Sequence, residues 1–196
     1  IPATAAGIRA IEEATYHGVS INATVGFSVS QALAVAEAVE DGVVRRVAEG
    51  NDLEGILPVC TMMIGQVDDW LSMLTHRDGI TVPPTALPWA GVAVMKHAYQ
   101  VYQERGYPTR LLAADYRHHL HWSEFIGGSV ILALPHRWGV SFNEADITFE
   151  SRMDQSVDPD VIETLRFHFP DYRKAYETEG IMIEDFDAYG PTVKTQ

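Results

Sequence analysis

Apolar positions change their period repeatedly along the chain, and the changes predict alternating strands and helices. Between residues 5 and 17, Ile8, Ile11 and Ala14 recur at helical spacing and Gly18 follows as a stop, which predicts a helix. "VSINATVGFS" reads as a strand, and "SQALAVAEAVEDG" as a helix that ends near Gly42. Residues 43–55, with the paired Arg45 and Arg46, read as a helical or loop insertion. "ILPVCTMMIG" predicts the next strand and "VDDWLSML" the next helix. The Pro-rich "ITVPPTALPW" leads into a long helix over 90–105, closed by Gly106 and Pro108. "TRLLAAD" is a further strand, "HLHWSEFIG" a short helix, "SVILALP" a fourth strand and "HRWGVSFNE" the helix after it. From Ala145 onward, helices punctuated by Pro159, Pro170 and Pro191 form a tail.

Strands that alternate with helices in this way predict an α/β fold with a parallel sheet. "IPAT" at the start reads as the end of one more strand. A closed (β/α)8 barrel takes about 250 residues, so the expectation is the second half of such a TIM barrel over 1–144, from the end of strand 4 through helix 8, with a helical extension over 145–196. A half-barrel leaves two sheet edges exposed, and exposed edges invite pairing. An N-terminal half on a separate segment is therefore expected to complete it.

Composition narrows the function classes. The 196 residues are 46% hydrophobic with a mean hydropathy of -0.05, and they contain neither a signal peptide pattern nor an apolar run of membrane-spanning length. Twenty-seven acids against fourteen bases give a formal charge of -13, which repels phosphate backbones and anionic lipids and argues against nucleic acid and membranes as partners. A single cysteine, Cys60, permits no internal disulfide and suits a cytoplasmic location; within "ILPVCTMMI" it reads as a buried, inert thiol.

"AADYRHHLHWSEF" crowds His118, His119 and His121 beside an arginine. Histidines three apart on a helix share a face, so His118 and His121 could converge on one ion. No HExxH pattern and no second group of ligand spacing accompanies them, and a pair without a third ligand is a weak metal site. The expectation is no metal.

"IPATAAGIRAIEEATYHGVSINATVGFSVSQALAVAEA", "IGQVDDW" and "YQERGYPTRLLAADYRHH" resemble the second half of a transaldolase, a class I aldolase of (β/α)8 form, over residues 1 to about 145. The resemblance implies a dihydroxyacetone unit passed from a ketose to an aldose through a lysine Schiff base, with no cofactor, in a homo-oligomer of carbohydrate metabolism. It places the lysine immediately upstream of Ile1, and the acid/base aspartate and glutamate on the first and third strands, also outside this stretch. Cleaving a ketose between its third and fourth carbons needs an electron sink at the carbonyl, and an iminium supplies one. Lys96, Lys174 and Lys194, the three lysines present, do not lie at the C-terminal end of a predicted strand, where barrel active sites are built.

By the same resemblance, Thr24 positions a proton-shuttling water and Asn22 bonds a substrate hydroxyl. Strand alternation independently puts Asn22, Thr24 and Gly26 on one face. On residue chemistry alone, the better reading is a threonine chosen for β propensity at Thr24 and an asparagine bonded to backbone at Asn22. Thr61 stands where the family has a substrate-contacting serine, and Met63 where an aromatic is common. Arg117 matches an arginine that binds the terminal phosphate of the sugar. Here the chain departs from the pattern: Asp115 stands for a serine and Gln66 for a second arginine. At an effective dielectric of about 20, a unit charge at about 4 Å is worth about 4 kcal/mol before screening, so the usual phosphate site is in question and a non-phosphorylated sugar becomes a candidate substrate. An aldolase that releases free dihydroxyacetone is a second reading, and a non-catalytic barrel scaffold or sugar-binding protein a third.

Overall fold

A computed structural model describes residues 1–146 and 148–195. Thr4 opens the first helix by accepting from the Gly7 N–H, and α1 spans Ala5–Tyr16. β1 is Asn22–Gly26, and Ser28 caps α2, Val29–Ala48, by accepting from the Gln31 N–H; each such cap contributes about 1 kcal/mol. β2 is Val59–Met63, followed directly by α3, Ile64–Asp78. A 3-10 turn, Leu87–Trp89, feeds α4, Ala90–Arg105, which Gly106 ends in a left-handed conformation. β3 is Arg110–Ala114, α5 Leu120–Ser123, β4 Ile131–Leu132 and α6 His136–Glu144. The tail carries α7 Pro159–His168, α8 Pro170–Tyr176, a 3-10 turn at Ile183–Ala188 and α9 Gly190–Thr195.

The four strands pair in parallel in chain order, β1-β2-β3-β4. This is a four-strand part of a (β/α)8 barrel, the α/β class expected. Ala23, Cys60, Met62, Leu111 and Ala113 point to the helices and are buried with Val35, Val39, Val94 and Met95. The opposite face carries Asn22, Thr24, Thr61 and Met63, with Asn22 exposed. Burial pushes the Cys60 thiol up to about 12, so it is protonated at neutral pH, as the sequence reading expects of an inert thiol. Met153, Leu165, Phe169, Tyr172, Phe186 and Tyr189 of the tail belong to the same core. Among the described residues no helix is long and apolar enough to cross a membrane.

Three expectations need correction. The helix expected to stop near Gly42 continues to Ala48, because Gly42 is a contact point between helices: a Cβ there would lie 2.5 Å from the Glu12 carbonyl oxygen. Arg45 then pairs with Glu12 at 2.6 Å and Glu13 at 3.1 Å, so residues 43–48 of the supposed insertion belong to the α1–α2 seam, and residues 49–55 are the loop after it. The fourth strand, expected over 129–135, pairs only at Ile131 and Leu132, whereas "IPAT" pairs in parallel with β1 through the Pro2–Thr24 bridge, as the end of a strand does.

Candidate active site

The open sheet face gathers the residues expected to bind substrate. The Thr61 hydroxyl donates to Asn22 Oδ1 at 2.7 Å across β1 and β2, and Met63 lies two residues further along the same face. Thr24 is held by its backbone: its N–H donates to the Ile1 carbonyl at 2.8 Å and its carbonyl accepts from the Ala3 N–H at 2.7 Å. The next residue, Val25, has φ 59, a left-handed conformation that is strained for a β-branched side chain, where the β1–β2 register shifts. Gln31, fully buried, secures this kink. Its amide donates to the carbonyls of Ala3 at 2.9 Å and Val25 at 3.2 Å, and its oxygen accepts from the Phe27 N–H at 3.0 Å.

A second group lies beyond the C-terminal ends of β2 and β3. Asp115, with φ 67, leaves the strand in a left-handed turn, so it and Arg117 do not share a strand face; they pair through the turn. Arg117 Nη1 donates to Asp115 Oδ1 at 2.7 Å, and Nη2 to Asp115 Oδ2 at 3.2 Å. From the other side Asp69 accepts from Nε at 3.0 Å and Nη2 at 2.8 Å. These two carboxylates, Asp69 foremost, push the Arg117 pKa up. Burial opposes ionisation of Asp115, but hydrogen bonds from Arg117 and Gln66 outweigh it and hold its carboxyl below the usual range. Gln66 reaches Asp115 because α3 starts against the turn: a Cβ on Gly65 would lie 1.9 Å from the Asp115 carbonyl oxygen. Gln66 Oε1 also accepts from the Thr195 hydroxyl at 3.0 Å.

Behind this turn lies the third ligand that spacing did not reveal. His118 Nε2 and His121 Nε2 approach Asp68 Oδ2 at 2.9 Å and 2.8 Å, and the potential ligating atoms of the three lie within 4.8 Å of one another. The Arg117 N–H donates to His121 Nδ1 at 3.1 Å. A backbone N–H can only donate, so His121 Nδ1 holds a lone pair and the ring proton sits on Nε2, facing Asp68. A metal at Nε2 would need a lone pair there too, so the hydrogen-bond network competes with coordination. Asp68 Oδ1 accepts from the Gly91 N–H at 2.8 Å, at the start of α4. Burial opposes ionisation of Asp68, but its two histidine partners hold its carboxyl below the usual range, while burial lowers the His121 pKa. His118 and His119 lie in the turn before α5, and only His121 is inside it.

The model of the transaldolase/fructose-6-phosphate aldolase family matches residues 1–183. The chain belongs to this family. The transaldolase of Acidothermus cellulolyticus is 34% identical over 108 residues, 54% of this chain and 28% of that protein. The transaldolase of Thiobacillus denitrificans is 34% identical over 116 residues, 58% and 32% of the two chains, and that of Arthrobacter sp. 33% over 104 residues, 53% and 28%. The chain thus spans less than a third of the length of these relatives. Of the positions singled out by the resemblance to transaldolases, Asn22, Thr24, Thr61 and Met63 share the open face, and Gln66, Asp115 and Arg117 form one contact group. Sequence reasoning missed Asp68, Asp69 and Gln31. Asp68 had a signal: it falls on the apolar stripe Ile64, Val67, Leu71, Leu74, where a carboxylate needs a buried partner.

Proposed function

We propose that this chain is the C-terminal part of a transaldolase, an enzyme that transfers a dihydroxyacetone unit from a ketose to an aldose through a lysine Schiff base. The observation that carries the reading is the seating of the first three residues. Ile1 N donates to the Asn22 carbonyl at 3.0 Å and Pro2 bridges Thr24. Side chains alternate along a strand, so the residue upstream of Ile1 shares the face of Pro2, in register with Asn22 and two residues short of Thr24 on the same face. A lysine there meets the ketose carbonyl on the open face.

The lysine amine adds to the carbonyl and water leaves, giving an iminium. Breaking the bond between the third and fourth carbons sends its electron pair into the iminium, while a base takes the proton of the fourth-carbon hydroxyl and the aldose departs. The resulting enamine attacks the carbonyl of an acceptor aldose, and hydrolysis then frees the lysine. Asn22 Oδ1 is occupied by Thr61, which leaves the amide N–H groups to donate to a substrate hydroxyl. Thr24 holds the water that relays protons beside the iminium. Transfer is favoured over release of free dihydroxyacetone because the relatives carry the name transaldolase.

Borohydride trapping with fructose in the intact polypeptide tests the reading. The expected adduct is on a lysine joined to Ile1. A stable adduct on Lys96, Lys174 or Lys194 would overturn it, and no adduct with any ketose would leave the scaffold or sugar-binding reading in its place.

A further inference from the structure

The group around Arg117 bears on the far end of the sugar, and its role there rests on the aldol chemistry proposed for the open face. All three nitrogens of the Arg117 guanidinium already donate to carboxylates: Nε to Asp69 at 3.0 Å, Nη1 to Asp115 at 2.7 Å, and Nη2 to Asp69 at 2.8 Å and Asp115 at 3.2 Å. Nη1 also meets the carbonyls of Asp115 and Tyr116. One cation between two anions sums to -1. Gln66, the remaining polar group, is spent on Asp115 and Thr195. The site therefore satisfies itself with its own carboxylates where an anion-binding site keeps donors for its ligand.

We infer that Asp69 and Asp115 make this subsite select an uncharged polyol terminus over a phosphorylated one. A phosphate carries a charge of about -1.5 to -2 at neutral pH. To reach Arg117 it must displace a carboxylate and then lie beside it. A hydroxyl needs no displacement, since it donates to an Asp69 or Asp115 oxygen and accepts from water. Arg137 is the other cation nearby, sharing a cavity of about 310 Å³ with Tyr116, Arg117, Trp138 and Ser141. It is exposed, with its guanidinium 5.9 Å from the Trp138 ring centre. Counting it raises the formal sum only to zero.

The test is the ratio of kcat/KM for fructose 6-phosphate to that for fructose in the intact enzyme. The wild-type ratio is expected to lie below one, in favour of the uncharged sugar. The double variant Gln66→Arg, Asp115→Ser, which adds a cation and removes an anion, is expected to raise it at least about tenfold. A wild type that prefers the phosphate would overturn the inference; so would a double variant that folds, turns over and leaves the ratio unchanged. If borohydride traps no adduct with either ketose, the aldol reading fails by itself. Calorimetry then decides the subsite: fructose 6-phosphate binding no tighter than fructose supports the inference, and binding more than about tenfold tighter refutes it.

Discussion

Thr24 and Asn22 are neighbours on one strand face, yet they should answer mutation differently. In the proposed reaction Asn22 would contact a hydroxyl that is present in the substrate and the transition state alike, so its loss would be felt mainly in binding. Thr24 would act through a water whose proton moves only as the proposed iminium forms and breaks, so its loss would be felt in turnover. Proton-transfer groups of this kind contribute about 10²- to 10⁴-fold. Thr24→Ala in the intact enzyme is expected to lower kcat at least about tenfold, or about 1.4 kcal/mol, with KM for the ketose changed by less than about threefold. The backbone bonds of Thr24 to Ile1 and Ala3 do not involve its side chain and persist in the variant. Equal losses in kcat and affinity, or none, would return Thr24 to the status of a strand residue.

At the scale of elements, the strand carrying Thr24 is held in a strained shape from the side opposite the open sheet face. Val25 keeps its left-handed conformation while Gln31, on the first turn of α2, ties the Val25 carbonyl to that of Ala3. Replacing Gln31 by methionine keeps the volume and leaves the Phe27 N–H and two carbonyls in the core without that partner. Buried groups left unpaired cost about 1–3 kcal/mol each, so with three of them Gln31→Met is expected to lower the unfolding free energy in urea by at least about 3 kcal/mol. Gln100→Met, on the exposed side of α4, should stay within about 0.5 kcal/mol of wild type; indistinguishable midpoints for the two would discard the argument. Gln31 was not legible in the sequence, where it sits within an otherwise ordinary "SVSQALAV" helix start. The elements themselves were. Periodicity locates α1, α4 and α6 to within a residue, because each is bounded by residues that end or open helices. It misjudges α2, where Gly42 serves packing and not termination, and β4, where an apolar run does not specify how much of it pairs. The polar contacts of the site were the least legible: Asp69 and Arg117 are 48 residues apart, Asp68 and His121 53. Pattern along the chain does not encode which distant side chain meets which.

Across the whole molecule, one lysine joins barrel and tail. Lys96 lies inside α4 with 8% of its side chain exposed, and its ammonium donates to Glu124 Oε2 at 2.8 Å and to the carbonyls of Arg152 and Gln155, both at 2.9 Å. Its three donors are thus used on three partners from two parts of the chain, the turn after α5 and the start of the tail. None remains for a ketose, and α4 lies on the helical side of the sheet, away from Asn22 and Thr24. Lys96 should therefore matter to stability and not to iminium formation. Removing one partner of a buried ion pair costs about 3–5 kcal/mol, whereas replacing both by apolar groups of similar volume is often close to neutral. Lys96→Met is expected to lower the unfolding free energy of the intact protein by that amount, and Lys96→Met with Glu124→Leu by less, with a residue owed to the two carbonyls left unpaired. The tail should also become the first site of proteolysis in the single variant, since its start is held down by those carbonyls. Both variants, where folded, should still give the borohydride adduct. A stable Lys96→Met protein that no longer traps a ketose would show the opposite division of labour, with the lysine of α4 serving chemistry and the tail held by its apolar contacts alone.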